Sequence, residues 1–311
     1  MRGASTHPQL PARDRPVGVR LLLLLVALTS AVSLSMVLTP IVLAAPPVVP
    51  LPGEDFLTPG ERRAALRGMA DAERATIGHL FADDAPELVV AYARREYSVI
   101  EEPDGSRSAV PQGSVVESPT GRISLPQHLT AACCVSGGKS GTALWVSFTV
   151  TRTRTAAPHE WKLYGNAQWG RSGTYSPAGM DCCNNDDDSL AMAWGNNLAL
   201  HADSGTGRYQ SWCNGEPSSV PVSRSDVSPN RGVAHAFREW WDPDNCPMYW
   251  ASTTTHIRKS TYSNVLTNAT LKYFHTWSNP DYTISFGSRV TISISPTSGQ
   301  WALPLYVTFS S

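Results

Sequence analysis

Clustered positive charge is missing from this sequence. The largest basic clusters are pairs such as Arg62-Arg63 and Arg258-Lys259, in a chain of 311 residues with a formal net charge of −1. A protein surface that follows a phosphate backbone needs clustered Lys and Arg side chains. Nucleic acid is therefore not expected as a partner.

Familiar catalytic motifs are missing as well. Gly138-Lys139-Ser140 has the form of a P-loop ending, but Cys133 stands where the first Gly of that motif belongs. The sequence has no G-x-S-x-G elbow and no H-E-x-x-H, and His235 and Glu239 are four apart on a predicted strand rather than on a helix. His201-Ala202-Asp203 could orient an imidazole, but we expect it in a Gly-rich turn. We name no catalytic residue and favour a protein without enzymatic activity.

A glycoside hydrolase stays open as an alternative, because its two catalytic carboxylates need no sequence motif. The candidates are Glu160, Glu216, Glu239 and Asp242. Sequence alone does not pair them.

The first 44 residues are typical of a secretory signal. A polar, basic stretch is followed by the apolar run from Leu21 to Ala45, and Val42-Leu43-Ala44 suits a signal peptidase. We predict a signal peptide over 1–44 with cleavage after Ala44, and thus a secreted, extracellular protein. The alternative is an uncleaved anchor, since the apolar run is long enough to span a bilayer, and any membrane contact would then be through this segment.

A short helical region is predicted after a Pro-rich tether at 45–57. Thr58-Pro59-Gly60-Glu61 matches a capping box with Pro at the first helical position, so a helix should begin there. Asp84-Ala85-Pro86-Glu87 is interpreted as the start of a second helix that carries Leu88, Val89, Tyr92 and Val99. We expect the helical segment to cover 58–100 and to dock on the rest of the protein as a spacer, with a propeptide as the alternative.

The composition changes along the chain. About a third of residues 53 to 102 are charged, against about one in seven from residue 130 onward. We therefore predict a linker rich in Pro, Gly and Ser at 101–129, containing at most one hairpin, and a separate β domain at 130–311.

Period-two alternation dominates that β domain. Leu144, Val146, Phe148 and Val150 alternate with Trp145, Ser147, Thr149 and Thr151, and about nine similar runs follow, separated by Gly, Pro, Asn, Asp and Ser. No helical crossover lies between the runs, so the fold class is mainly β, an antiparallel β-sandwich or jelly roll. Leu190–Leu200 is one predicted strand, and Val290–Ile294 is predicted to pair with Trp301–Phe309 in a C-terminal hairpin.

Six cysteines predict three disulfides in an exported chain. They are Cys133, Cys134, Cys182, Cys183, Cys213 and Cys246. The simplest pairing joins the two doublets by two bridges and Cys213 to Cys246, although fifteen pairings are formally possible. Zinc is disfavoured, because the doublets lack the C-x-x-C spacing of zinc ligands.

An acidic run is a candidate calcium site. Asn184, Asp186 and Asp188 alternate in the way that an oxygen-rich loop wraps a hard cation, but Ser189 and Gly195 stand where an EF-hand needs Gly and Glu. The alternative is a solvated turn held by Cys182-Cys183. Calcium is the only cofactor that the sequence suggests.

Tryptophan is unusually abundant, with ten residues. Because neighbours on a strand point to opposite faces, Trp240 and Trp241 cannot both point inward. With Glu239 and Asp242 beside them, they are the predicted ligand platform. The leading hypothesis is an extracellular module that binds polysaccharide or cell-wall material; core packing of these indoles is the alternative.

A membrane-active, pore-forming protein is the rival hypothesis. Residues from Tyr262 to Ser295 are rich in Ser and Thr, with apolar residues alternating between them. Such a stretch can refold into a transmembrane hairpin. An ordinary half-exposed sheet would show the same pattern.

Overall fold

The structure is a computed structural model. It describes residues 48–69, 71–101, 107–117, 130–131, 142–169, 187–209, 219–238, 240–241, 246–276, 283–288, 290–295 and 300–311. These residues belong to one compact unit that spans 45–311. The predicted signal peptide lies outside the described residues and stays a prediction.

Within the described part of the chain, two short helices and a 3₁₀ turn precede the strands. They are α1 (Pro59–Gly68), α2 (Asp71–Ile77) and the 3₁₀ turn Gly78–Phe81. The predicted capping box is present, because the Thr58 side chain accepts from the Glu61 backbone N–H and the Glu61 carboxylate accepts from the Thr58 N–H at 2.8 Å. The start of α1 was therefore predicted to the residue.

The strands form three antiparallel sheets, and their bounds are as follows. They are β1 (Leu88–Glu101), β2 (Arg107–Glu117), β3 (Thr130–Ala131), β4 (Thr142–Arg154), β5 (His159–Trp169), β6 (Asp187–Trp194), β7 (Ala199–Tyr209), β8 (Val220–Val222), β9 (Arg224–Ser228), β10 (Gly232–Arg238), β11 (Trp240–Trp241), β12 (Cys246–Lys259), β13 (Leu266–Thr276), β14 (Thr283–Phe286), β15 (Ile292–Ser295) and β16 (Gln300–Ser310).

The large sheet has the order β3-β2-β1-β4-β5-β12-β7-β8, with β11 paired to β12. A second, five-stranded sheet has the order β16-β13-β6-β10-β9, and β14 and β15 form a sheet of their own. The inner faces of the two larger sheets share one apolar core that includes Phe148, Trp161, Trp169, Met192 and Leu271. The predicted mainly antiparallel β-sandwich with a short helical start is confirmed.

The predicted second helix is wrong. Leu88, Val89, Tyr92 and Val99 lie on β1, which pairs with β2 on one side and β4 on the other. A register shift between Val89 and Ala91 interrupts the period-two alternation there. The interrupted pattern has the three- and four-residue spacings of a helix, which explains the error.

The predicted domain limits need the same correction. Because β1 and β2 are inner strands of the large sheet, residues assigned to the helical segment at 58–100 and to the linker at 101–129 form part of the β-sandwich. The change in charge falls after β1, so it does not coincide with the end of the helices at Phe81 or with the start of the sheet at Leu88. It is not a domain boundary.

Two strand predictions also change. Leu190–Leu200 is not one strand, since β6 ends at Trp194 and β7 begins at Ala199. The C-terminal hairpin is wrong as well: β15 pairs with β14, and β16 pairs along its whole length with β13, with Thr276 opposite Gln300. Alternation sets which face a residue occupies, but it does not choose the partner strand.

The predicted tether is docked over its described part. The Leu57 N–H donates to the Val89 carbonyl at 2.9 Å, and the Glu54 carboxylate accepts from Arg152 Nε at 2.7 Å. Both side chains of this ion pair are fully buried. The helices pack on the outer face of the large sheet through Leu80, Phe81, Val89 and Tyr92, so docking of the helical segment is confirmed for α1 and α2.

Candidate functional site

An unexpectedly long connection joins two neighbouring strands of the five-stranded sheet. β13 and β16 are antiparallel partners with Thr276 opposite Gln300, a geometry that a two-residue turn can close. The sequence instead places residues 277–299 between them. The described part of this connection holds β14 and β15, which we call the docked hairpin (residues 283–295).

The docked hairpin has one apolar face, and that face is buried. Ile284 lies opposite Ile294 and Phe286 lies opposite Ile292, so these side chains share a face. Ile284, Ile292 and Ile294 are nearly fully buried, and Phe286 and Val290 are partly buried. They pack against the outer face of the five-stranded sheet, at residues Ala191, Ala193, Ala234 and Phe274. The small alanine side chains allow the hairpin to lie close to the sheet.

The opposite face of the docked hairpin is polar and exposed. Its described residues are Thr283, Ser285, Thr291 and Ser293, all solvent-exposed. The hairpin is thus amphipathic with period two, as predicted for part of the stretch from Tyr262 to Ser295. Only the part after β13 is docked in this way, because β13 itself is paired with strands on both sides.

Side chains, rather than a shared backbone ladder, attach the docked hairpin to the sheet. Lys272 Nζ donates to the Ile292 carbonyl at 2.6 Å and Thr270 Oγ1 donates to the Val290 carbonyl at 3.2 Å. The Ile284 N–H donates to Asp226 Oδ2 at 3.3 Å. Burial lowers the pKa of Lys272. A two-stranded hairpin is marginally stable by itself, so this docking is what keeps it ordered.

A glycine beneath the hairpin makes room for Phe286. A Cβ placed on Gly232 would collide with the Phe286 ring and would lie 2.6 Å from the Met192 carbonyl oxygen. Any other residue at this position would push the ring away from the sheet. Gly232 therefore determines how closely the tip of the hairpin docks.

Of the three predicted calcium ligands, only Asp188 is among the described residues. Asn184 and Asp186 lie outside the described residues. Asp188 is fully buried on β6, where its carboxylate accepts hydrogen bonds from the Tyr273 hydroxyl and from His275 Nδ1, the latter at 2.8 Å. Among the described residues, no group of three or more His, Cys, Asp or Glu side chains is placed to hold a metal ion. The calcium site stays a prediction.

The predicted ligand platform is described only in its backbone. Trp240 and Trp241 form β11 and pair with Pro247 and Cys246 at the start of β12. Glu239 and Asp242 lie outside the described residues. Core packing is the observed fate of other tryptophans, since Trp161, Trp169 and Trp194 are buried in the main core.

The disulfide predictions also lie mostly outside the described residues. Cys133, Cys134, Cys182, Cys183 and Cys213 are not described, and Cys246 is the first residue of β12. Tyr209, four residues before Cys213, is paired with Met248, two residues after Cys246. The strand register therefore brings the flanks of the predicted Cys213–Cys246 pair together.

A hydroxyl, an imidazole and a carboxylate line up inside the sandwich. Thr253 Oγ1 lies 2.7 Å from His235 Nδ1, and His235 Nε2 lies 3.1 Å from Asp203 Oδ1. Asp203 does orient an imidazole, but that of His235 rather than His201, and it lies on strand β7 rather than in a turn. Burial lowers the pKa of His235, while Asp203 opposes this shift. Both His235 and Thr253 are only 1% exposed, so this row binds the two sheets together and offers no access to a substrate.

Glu160, one of the candidate glycosidase carboxylates, is held by neighbouring side chains. Glu160 is buried on β5, where its carboxylate accepts from Arg258 Nε at 2.5 Å and contacts His256 Nδ1 at 2.9 Å. Burial raises the pKa of Glu160, but the hydrogen bonds from His256 and Arg258 outweigh burial and leave the pKa lowered. This is the wrong direction for a general acid. The other candidates, Glu216, Glu239 and Asp242, lie outside the described residues.

A second feature, which the sequence analysis missed, crosses the outer face of the large sheet. Strand register places Trp145 beside Gln168, Gln168 beside Trp250, and Trp250 beside Arg208. Gln168 Oε1 and Trp250 Nε1 are buried and have no hydrogen-bond partner among the described residues. The Arg208 guanidinium lies 6.0 Å from the Trp250 ring centroid. We call these four residues the outer row; only the register, which sequence does not give, brings them together.

Comparison with known proteins adds little. No protein-family description and no curated protein matches the chain. One solved structure that it resembles is a pore forming protein, at a TM-score of 0.24 and 8% identity, with 68% of this chain and 95% of that chain covered. At this level the likeness carries no inference about fold or function. No helix among the described residues is long and apolar enough to span a membrane.

Proposed function

We propose that this protein is membrane-active and of the pore-forming type, and that the docked hairpin leaves its sheet and enters the bilayer. The observation that carries the proposal is the 277–299 connection between two strands that need only a short turn, since its described part is an amphipathic hairpin. The alternation of faces in this hairpin is of the kind that a bilayer requires.

The length of the connection suits a membrane-spanning hairpin. A transmembrane β-strand needs about 9–11 residues. The 23 residues of the connection, divided at a central turn, supply two strands of about that length as continuations of β13 and β16. Because β13 and β16 stay paired, they would be the base from which the hairpin extends.

The faces of the hairpin suit the two sides of a barrel wall. Ile284, Phe286, Ile292 and Ile294 would face lipid, and Ser285 and Ser293 would face the lumen. Unpaired backbone groups are too costly in hydrocarbon, so the hairpin would span only as part of a closed barrel formed by several copies. The polar face is already exposed in the folded protein, so only the apolar face must lose its contacts with the five-stranded sheet.

Release of the hairpin has a moderate cost. Each buried Ile side chain contributes roughly 1.5–3 kcal/mol, and burial in lipid would recover this contribution. The hydrogen bonds that Lys272 and Thr270 donate to the hairpin, and the one that Asp226 accepts from it, add to this docking, each at about 0.5–1.5 kcal/mol. These contacts are strong enough to keep the hairpin on the five-stranded sheet in water and weak enough to be replaced by contacts with lipid.

Dye release from liposomes tests this function. The protein is expected to release dye, and a variant in which residues 277–299 are replaced by Asn-Gly is expected to fold and to release none. Asn-Gly is suitable because Thr276 and Gln300 are already opposite each other. Absence of leakage from the unaltered protein over a range of lipids and pH would refute the proposal.

A matched pair of variants tests the role of each face. Ile284→Asn with Ile294→Asn places amides on the apolar face, and Ser285→Asn with Ser293→Asn places them on the exposed face at the next cross-strand pair. The first variant should lose leakage, and the second should retain it. Equal leakage from both variants would show that the hairpin does not face lipid.

Binding of carbohydrate or cell-envelope material is a second candidate, supported by the outer row. Trp145 and Arg208 are partly exposed at the two ends of the row, whereas Gln168 and Trp250 between them are buried; an aromatic ring and a guanidinium are side chains that stack on and hydrogen-bond to sugars. It also lies near the predicted platform, because Trp240 pairs with Pro247, three residues before Trp250.

Co-sedimentation with insoluble polysaccharides and isolated cell walls, with calcium and with chelator, tests this candidate. Trp145→Ala should abolish pelleting, and Tyr306→Ala, which removes an exposed ring on the other sheet, should not. Chelator sensitivity would point to Asp186 and Asp188. If the protein stays in the supernatant throughout, the module hypothesis is refuted.

A further inference from the structure

A buried arginine points into the core from β1. Arg95 lies opposite Val146, which belongs to the main core, and it occupies the same face of β1 as Ala93 and Tyr97. Its side chain is on the side of the large sheet that faces β16 of the other sheet. Arg95 is only 3% exposed.

The Arg95 guanidinium has no carboxylate partner among the described residues. This holds for Nε, Nη1 and Nη2 alike. The neighbouring Arg94, on the opposite face of the strand, pairs with Glu73 at 3.2 Å, and Arg152 on β4 pairs with Glu54. Arg95 therefore differs from these other buried or half-buried arginines, which have carboxylate partners.

A second unpartnered donor lies beside this guanidinium. Tyr97 is fully buried, and its hydroxyl donates to no acceptor among the described residues, although the Arg95 guanidinium lies close enough to act on it as a donor. Burial raises the pKa of Tyr97 to about 12, with Arg95 opposing the shift. The hydroxyl thus keeps its proton near neutral pH and is available to donate.

A buried cation without an anion is too costly to be tolerated without a reason. The desolvation penalty for an ion is several kcal/mol, and buried polar groups in native proteins are almost always paired. A guanidinium keeps its charge in proteins, so this cost is not avoided by neutralisation. Its guanidinium therefore calls for a negatively charged partner that is not among the described residues.

We propose that Arg95 and Tyr97 form a binding site for a monoanionic carboxylate between β1 and β16. One guanidinium balances one negative charge, and its planar fork matches the two oxygens of a carboxylate. The Tyr97 hydroxyl supplies a third hydrogen bond. The apolar neighbours Ala93 and Val146 suit an organic acid better than a phosphate dianion, which would keep an unbalanced charge in the core.

Thermal unfolding of the purified protein in chloride, acetate or octanoate, at one pH and ionic strength, tests the site. A saturable rise in Tm on the order of 2–4 °C is expected with a carboxylate and not with chloride. A response to acetate identifies a small carboxylate, and a response to octanoate alone identifies an amphiphile.

Variants locate the response. Arg95→Met should abolish the carboxylate effect and should be at least as stable as the unaltered protein in chloride, because it removes an unbalanced buried charge. Tyr97→Phe should weaken the apparent affinity by about tenfold. Arg94→Met, on the opposite face of β1, is the control and should keep the full response. The proposal is overturned if no carboxylate raises Tm, if Arg95→Met retains the response, or if Arg95→Met is destabilised in chloride, which would mean that another part of the chain supplies the anion.

Discussion

Arg152 and Glu54 form an ion pair from which water is excluded. Arg152 Nε lies 2.7 Å from Glu54 Oε1, and the Val49 carbonyl also accepts from this guanidinium. The pair fastens residues 49–54 to β4 at the inner face of the sandwich. Attraction within such a pair is offset by desolvation, so its main consequence is that neither partner can be removed alone.

Glu54→Gln should therefore lower the free energy of unfolding by about 3–5 kcal/mol, because it leaves a buried, unbalanced guanidinium. Arg63→Gln is the control: it removes one partner from the ion pair between Arg63 and Asp83, in which both side chains are more than half exposed. That change should cost less than about 1 kcal/mol. Urea unfolding measures both, and similar losses would contradict the argument.

His235 gives the protein a pH dependence whose sign is defined. Burial lowers the pKa of His235, so the folded protein holds it neutral where the unfolded chain binds a proton. The stabilisation is fully present above the unfolded pKa of about 6.5 and is lost as the pH falls from there toward the folded pKa.

Stability should accordingly decrease from pH 7 to pH 5, by at most about 1.4 kcal/mol per pH unit for this group. His235→Gln should flatten the dependence while lowering stability throughout, since Thr253 and Asp203 lose their bridge. The pKa of His159 is also lowered by burial, so His159→Gln is the necessary comparison. Denaturation midpoints against pH decide the question, and an unchanged slope in His235→Gln would assign the effect elsewhere.

The docked hairpin depends on a close fit between β14, β15 and the strands beneath. The contact between Gly232 and Phe286 is its tightest point. Alanines at positions 191, 193 and 234 leave a shallow surface for the three isoleucines. A small change in this surface should alter the docking of the whole hairpin, because the hairpin has no backbone hydrogen bonds to the sheet ladder in the described residues.

Gly232→Ala should displace Phe286 and expose the hairpin to protease and to hydrogen exchange at 283–295. If the ring is the obstacle, Phe286→Ala in the same chain should restore protection; if the Met192 carbonyl is the obstacle, it should not. Faster liposome leakage by Gly232→Ala alone is expected if docking restrains membrane entry. Unaltered hydrogen exchange at 283–295 would show that the surface beneath the hairpin tolerates a Cβ at position 232.

Elements that lie far apart in the sequence are neighbours in the sandwich. The described residues that border the predicted disulfide segments lie at strand ends: Trp169 ends β5, Tyr209 ends β7 and Cys246 begins β12. β12 pairs with both β5 and β7, so these ends are neighbours. The predicted bridges would close this one end of the molecule.

A peptide map without reduction should therefore contain a Cys213–Cys246 bridge. By chain-entropy reasoning this bridge contributes roughly 4 kcal/mol, so Cys213→Ser with Cys246→Ser should lower Tm by several degrees. A map in which either cysteine is bound to a doublet cysteine would refute the pairing.

Much of the local structure could be predicted from the sequence. The capping box at Thr58 and Glu61, the alternation on β4 and the amphipathic stretch after β13 all follow from neighbours in the chain. The prediction of a second helix failed at a bulge in β1, where the local sequence pattern itself is misleading. The alternation of the docked hairpin was predicted. The pairing of β14 with β15, and the surface on which the hairpin docks, were not predicted.

What the sequence determined alone is the face on which each residue lies, because period two is a property of a single strand. Only the tertiary structure decided which strands are partners, since pairing depends on contacts far apart in the chain. This strand pairing places β16 beside β13, so that residues 277–299 form a long connection between adjacent strands. It also brings Asp203 to His235 and Trp250 to Gln168. It also leaves Arg95 buried in the core without an anionic partner among the described residues, a consequence of burial that no local pattern contains.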